Sequence, residues 1–304
     1  MKNQLNTYDK WVLIALSFVF FAGMANAQDD AKEKDLRPVK NTFESTWIID
    51  NQSVMVPFKG TFQFDIQHRF GRLGNGYDDF WGLYANSNIR LGFGYVPIER
   101  LMIGFGLTKT NITWDINAKY AFLRQARIGG SPVSLTYYGN MAFDTRKQEI
   151  GQFANKTDRY SYFHQLILAR KFSDIFSVQV AGSLSHFNAV EAYTKADNTV
   201  EGKWKNDHYA MAISLKYKVS DWINFMVDFN QPLTKHNLEE VDPYAGFAVG
   251  LELTSSSHQF QIFLGNYNFI TPQRNNVFNQ NQFLIDKEKG GILIGFNMTR
   301  LWSF

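Results

Sequence analysis

The chain has no cysteine in its 304 residues. Disulfides and thiolate metal centres are therefore excluded, and the fold must be held by packing, by sheet hydrogen bonding or by a membrane. Beyond Ala27 no apolar run approaches the length of a transmembrane helix. Neither sign of charge dominates. The formal net charge is +3 for the whole sequence and +2 once residues 1–27, with Lys2, Asp9 and Lys10, are set aside. That balance gives no reason to expect a nucleic-acid partner. Catalytic spacings are missing too: neither H-x-x-x-H, H-E-x-x-H nor G-x-S-x-G occurs.

The N-terminus carries a positive feature. Lys2 and Lys10 flank a polar stretch, Trp11 to Met24 are apolar, and Ala25-Asn26-Ala27 offers small residues before polar Gln28-Asp29-Asp30. The pattern predicts a secretory signal peptide over 1–27, cleaved on export; the apolar run is short for a membrane anchor. No cysteine follows, so no lipid attachment is expected there. Residues 28–58 form a separate stretch, read as a periplasmic lead-in or a segment tucked into a barrel, and 59–304 as the barrel itself.

From Lys59 onward, short alternations repeat. In Phe62-Gln63-Phe64-Asp65-Ile66-Gln67-His68-Arg69-Phe70, even positions are mostly apolar and odd positions polar, which makes a strand with one greasy and one wet face. Eleven further strands are predicted near 82–95, 101–108, 112–123, 132–143, 159–171, 175–187, 208–219, 222–230, 244–254, 259–270 and 291–304. Connections tend to alternate between long (71–81, 144–158, 188–207, 231–243, 271–290) and short, although 109–111 and 124–131 break the rule. The predicted fold is all-β: a transmembrane up-and-down antiparallel β-barrel of about 12 strands, with 10 or 14 also compatible. A soluble sandwich or lipocalin-like barrel also alternates. Against it stands the last strand, where Ile292, Ile294, Phe296, Met298, Trp302 and Phe304 share a face and an aromatic ends the chain. Trp302 and Phe304 are the candidate sorting signal for the barrel assembly machinery. Arg300 interrupts that face, where a long side chain can snorkel to the headgroups.

Four segments occur in order: Asn41-Thr42-Phe43-Glu44-Ser45-Thr46, His68-Arg69-Phe70-Gly71-Arg72, Leu91-Gly92-Phe93-Gly94-Tyr95 and Tyr120-Ala121-Phe122-Leu123-Arg124-Gln125. From about residue 40 to the C-terminus the chain resembles a family of outer-membrane β-barrels known only as a domain of unknown function. The resemblance implies the barrel fold and the outer membrane of a Gram-negative bacterium, and carries over no catalytic residue.

Parity puts Asp65, Arg69, Arg90, Asp115, Lys119, Lys216, Asp228 and Glu252 on the inner face. They are the lumen-lining candidates, forming either a constriction that selects solutes or pairs that fill the lumen and stiffen the wall. No catalytic, metal or cofactor site is expected. The histidines do not converge, and His186 beside Ser183 and Ser185 points to the opposite side from both. Gly92-x-Gly94 and Gly104-x-Gly106 lie inside strands, where glycine permits close approach rather than phosphate binding. Loop aromatics Phe153, Tyr193, Trp204, Phe278 and Phe283 either fold inward, meet a partner or pack on their own strands. The Asn-rich connection 271–290 is expected to be among the more mobile. The leading functional expectation is a small passive channel for polar solutes. The alternatives are a structural or accessory barrel with a protein partner and, third, a membrane-surface enzyme. Membrane lipid surrounds the protein in each case.

Overall fold

A computed structural model of the chain describes residues 33–147, 153–283 and 291–303; the expected signal peptide and Phe304 lie outside them. Twelve strands form a closed barrel. In chain order they are β1 (Thr61–Arg72), β2 (Asn88–Ile98), β3 (Leu101–Thr108), β4 (Thr113–Leu123), β5 (Ser134–Asp144) and β6 (Tyr160–Lys171). The second half comprises β7 (Phe176–Phe187), β8 (Asp207–Lys218), β9 (Ile223–Pro232), β10 (Gly246–Thr254), β11 (His258–Gly265) and β12 (Leu293–Ser303). Each strand pairs antiparallel with the next, and β12 returns to β1 with Ser303 opposite Thr61. Strands of 8 to 12 residues suit a bilayer crossed at a tilt.

The alternation sorts side chains as the sequence suggests. Ile103, Phe105, Trp114, Ile116, Leu251 and Ile262 are exposed on the outer wall, the apolar band of a membrane barrel. Gln63, Asp65, Gln67 and Arg69 of β1 are all buried inside. Arg300 lies on the outer face, its guanidinium 4.7 Å from the ring of Trp302, which itself packs against Phe62 at 5.7 Å. The short turns lie at the end that holds both Thr61 and Ser303; the long connections lie at the other. These are called here the turn end and the loop end.

Three expectations are corrected. The strand read over 82–95 begins only at Asn88. Before it, Phe80 and Trp81 both take left-handed backbone with φ 53°, so Phe80, Trp81, Leu83 and Tyr84 form a turn rather than the alternation they imitate. The strand read to residue 270 leaves the wall after Gly265. The connection expected to be mobile instead folds inward over its described part: Pro272–Phe278 is a helix, α1, with Gln273, Asn275, Asn276 and Val277 buried. Thr271 precedes it and Pro272 opens it, where proline's fixed φ and missing N–H carry little cost.

Two short ribbons lie outside the wall. Asp35–Pro38 pairs with Ala126–Ile128 at the turn end, and Ala192–Thr194 pairs with Val200–Gly202 within a long loop.

Candidate functional site

The lumen is where polar side chains converge, and the chain's own N-terminal segment occupies it. Trp47–Ile48 pairs with Asn51–Gln52 as a tight hairpin, and Thr42 to Val54 is buried throughout apart from Glu44. The arm before it pairs at the turn end, and the stretch after it leads directly into β1. The hairpin therefore rises from the turn end and folds back at Ile49 and Asp50.

Nine strands hold it by hydrogen bonds. At the tip, Ile49 N–H donates to Gln261 Oε1 at 3.2 Å, and its carbonyl accepts from Asn297 Nδ2 at 2.8 Å. Asp50 N–H donates to Asp228 Oδ2 at 3.1 Å, while the Asn51 amide donates to Asp228 Oδ1 and Asn230 Oδ1. Gln165 donates to Asn51 Oδ1 at 2.9 Å, and Gln179 to the Gln52 carbonyl at 2.8 Å. Lower down, Lys119 Nζ donates to Thr46 O at 2.9 Å, Lys216 Nζ to Asn41 O at 2.7 Å and Thr136 to Val54 O at 3.0 Å. Gln63 on β1 donates to Thr46 Oγ1 at 2.8 Å. Apolar contacts add grip: Phe43, Ile48, Ile49 and Val54 cluster with Ile167, Met226, Phe263 and Tyr267.

The sequence-selected residues are all buried at this interface or behind it. Asp65 accepts from Thr299 at 2.7 Å, Gln63 at 2.7 Å and Trp47 Nε1 at 3.4 Å. Arg69 donates to Asn297 Oδ1 at 2.8 Å and lies 3.6 Å from Asp50, a loose ion pair between wall and hairpin. Arg90 and Asp115 form a bidentate pair at 2.8 and 2.7 Å, spanning β3 between their strands, and Arg90 lies beneath the Trp47 ring. Lys216 also faces Glu44 at 3.4 Å. Asp228 accepts from Ser214 as well as the hairpin, and Glu252 accepts from Asn224 and Gln261. Across the wall, Arg90 pairs with Asp115. The other groups mostly bind the hairpin or the side chains that hold it.

Small residues make this filling possible. A Cβ on Gly106 would stand 2.3 Å from the Arg90 guanidinium, and one on Gly295 would stand 2.2 Å from the Phe263 ring.

A second element closes the loop end. The Asn275 amide on α1 donates to Asp50 Oδ2 at 2.8 Å, so the helix meets the hairpin tip. Gln273 reaches Asn140 at 2.9 Å, and His236 Nε2 donates to the Val277 carbonyl at 2.8 Å. Burial pushes the Asp50 carboxyl up to about 6, against the opposing pull of Arg69 and Asn275. Composition hid α1, because asparagine-rich loops usually face water; the Thr-Pro helix start was the available signal. The hairpin's own contact residues, Thr46, Trp47 and Asn51, also went unselected, having no alternation to mark them.

The enzyme arrangement weighed in the sequence does not assemble: Ser185 is buried inside, while half-exposed His186 bonds Asp207 and Asn188. Among the described residues no group of three or more His, Asp or Glu is placed to hold a metal ion.

A closed antiparallel sheet with an apolar outer band and a polar interior defines a transmembrane β-barrel protein. The chain belongs to the membrane bound beta barrel domain family (DUF5777), whose profile matches residues 43–302; the match takes in most of the hairpin as well as the wall. None of the curated proteins compared with the chain matches it. Among solved structures it is similar to an outer membrane channel from Pseudomonas putida F1, at 10% identity and TM-score 0.49, covering 82% of this chain and 97% of that one. It is also similar to the NanC porin, at 7% identity and TM-score 0.46 over 80% of this chain and 99% of the other. The KdgM porin matches at 9% identity and TM-score 0.41, again over 80% and 99%.

Proposed function

We propose that the protein is an outer-membrane channel for polar solutes, held closed at rest by its own N-terminal hairpin. The observation that carries this reading is the chemistry of the hairpin's seat. It is dominated by Gln, Asn, Asp, Thr and Lys side chains, whose hydrogen bonds water can replace when the hairpin leaves. An exchanged hydrogen bond is worth only about 0.5–1.5 kcal/mol net, so withdrawal costs far less than opening an apolar core of the same size. The apolar cluster around Phe43, Ile48 and Ile49 keeps the resting state closed. On this reading the signal peptide 1–27 is removed on export, and the barrel assembly machinery inserts the chain through its C-terminal Trp302 and Phe304. The turn end then faces the periplasm.

Planar-bilayer conductance tests the proposal. The mature chain from residue 28 is expected to be nearly silent, and the barrel from residue 59, in which α1 also loses its hold on Asp50, to conduct. Asp228→Ala, which removes the acceptor for Asp50 and Asn51, is expected to give intermittent openings in the full mature chain. Silence in all three, with the folded barrel verified by heat-dependent gel mobility, would sink the channel.

The second reading, a structural or accessory barrel, is favoured by the additional closure through α1. It predicts silence together with a protein partner recovered by crosslinking in cells.

A further inference from the structure

Above α1, at the loop end, lies a cavity of about 830 Å³. Arg274 and Phe278 of α1 line it, as do Arg146, Phe153 and Arg159 from the β5–β6 connection and Trp204 from the β7–β8 connection. Three carboxylates share the rim and all are engaged. Asp144 pairs with Arg146 at 3.1 Å, Glu191 faces Lys203 at 3.7 Å, and Asp158 accepts the Ala154 and Asn155 N–H groups at 3.0 and 2.8 Å. Arg159 donates to the Asp144 and Arg146 carbonyls and stacks on Phe153.

Arg274 is different. Its guanidinium lies 4.9 Å from the rings of both Phe269 and Phe278. It forms no ion pair among the described residues, and its Nε is buried without a hydrogen-bond partner. Burial lowers its pKa to about 10, so it stays charged at neutral pH. A buried donor without an acceptor costs about 1–3 kcal/mol, more when charged, which an arriving acceptor recovers.

We propose that this cavity binds a soluble organic monocarboxylate with a flat body, Arg274 taking the carboxylate and the surrounding aromatic rings taking the body. The planar guanidinium fork matches a carboxylate in a bidentate pair. Aromatic walls with one guanidinium left without an ion pair among charges that are already engaged suit a small-molecule pocket, and the volume lies in the usual range. A flat organic anion is favoured over phosphate because the aromatic rings offer an apolar surface that phosphate cannot cover. Arg274 immediately precedes Asn275, whose amide holds Asp50. Occupancy is thus sensed at the hairpin tip, a consequence that rests on the channel reading, whereas the site itself does not.

Calorimetric titration of the detergent-solubilised mature protein tests the site, with benzoate as probe, benzamide as its neutral counterpart and inorganic phosphate as the alternative anion. Benzoate is expected to bind and to change tryptophan fluorescence through Trp204; benzamide and phosphate are expected to bind at least tenfold more weakly. Arg274→Gln should weaken benzoate at least tenfold, Arg274→Lys should fall between, and Arg37→Gln on the exposed N-terminal arm should bind normally. Trp204→Phe should lose most of the fluorescence change while weakening benzoate less than Arg274→Gln does, which tests the location without altering the charge. Absence of benzoate binding, a preference for phosphate, or unchanged binding in Arg274→Gln would overturn the proposal. Because binding is read on the closed protein, a barrel that never conducts leaves this result standing, and the reverse also holds.

Discussion

Arg90 and Asp115 show how a charged pair survives inside a protein. Both are almost wholly buried, so the cost of removing them from water is high. Two hydrogen bonds between them, together with Asn117 and Asn140 donating to Asp115, offset it. Removing one partner of such a pair costs about 3–5 kcal/mol, whereas replacing both by apolar groups is often neutral. Arg90→Ala is therefore expected to lower stability by about 3–5 kcal/mol in guanidinium unfolding in detergent. The double variant Arg90→Met with Asp115→Leu should recover most of that loss. A single variant within about 1 kcal/mol of the natural protein would show that water already reaches the pair. The glycines beside it were legible in part. Gly104 and Gly106 were recognisable as positions of close approach, but only the structure shows that Asn117 and the Phe93 carbonyl approach the first and Arg90 the second.

The hairpin sets two local terms against each other at Ile49. Its φ of 55° is left-handed, which costs a β-branched residue about 1–2 kcal/mol. Its side chain is fully buried against the cluster that includes Phe263 and Tyr267, and burying an isoleucine gains about 1.5–3 kcal/mol, with a cavity term in addition when it is removed. Burial outweighs strain. Ile49→Gly is thus expected to loosen the hairpin and raise open-channel probability in single-channel recordings, although glycine suits the backbone better. A more tightly closed channel would show that strain dominates instead. The barrel strands were readable because a period of two survives wherever one face meets lipid and the other does not. Residues 41–57 had no such signature, since a hairpin enclosed on every side shows no alternation. Inward-facing Gln63, Asp65 and Asp228 satisfy the same pattern whether water or protein fills the lumen. That is why the faces of the wall could be read, while its occupant stood only as one of two readings of residues 28–58.

Across the whole molecule, wall, hairpin and loop helix meet at Asp50. Arg69 faces its carboxylate from β1 and Asn275 bonds it from α1, while Asp228 on β9 receives its backbone N–H. Burial raises this carboxyl from its ordinary 3.8 to about 6 in the docked state, so docking favours the protonated form. Linkage then fixes the sign: the contribution to closure is fully present below about 3.8, is lost as pH rises through about 6, and changes no further above that. The difference amounts to a change on the order of a hundredfold in the docking equilibrium. Arg69 and the Asn275 amide already act against the rise. Open probability in bilayer recordings should consequently increase between pH 4 and pH 6 and then level off. In Asp50→Asn, which keeps a similar shape and cannot ionise, this part of the pH response should flatten. A channel that opens more readily in acid, or a response unchanged in Asp50→Asn, would place the controlling charge elsewhere and leave Asp50 as packing between the two plugs.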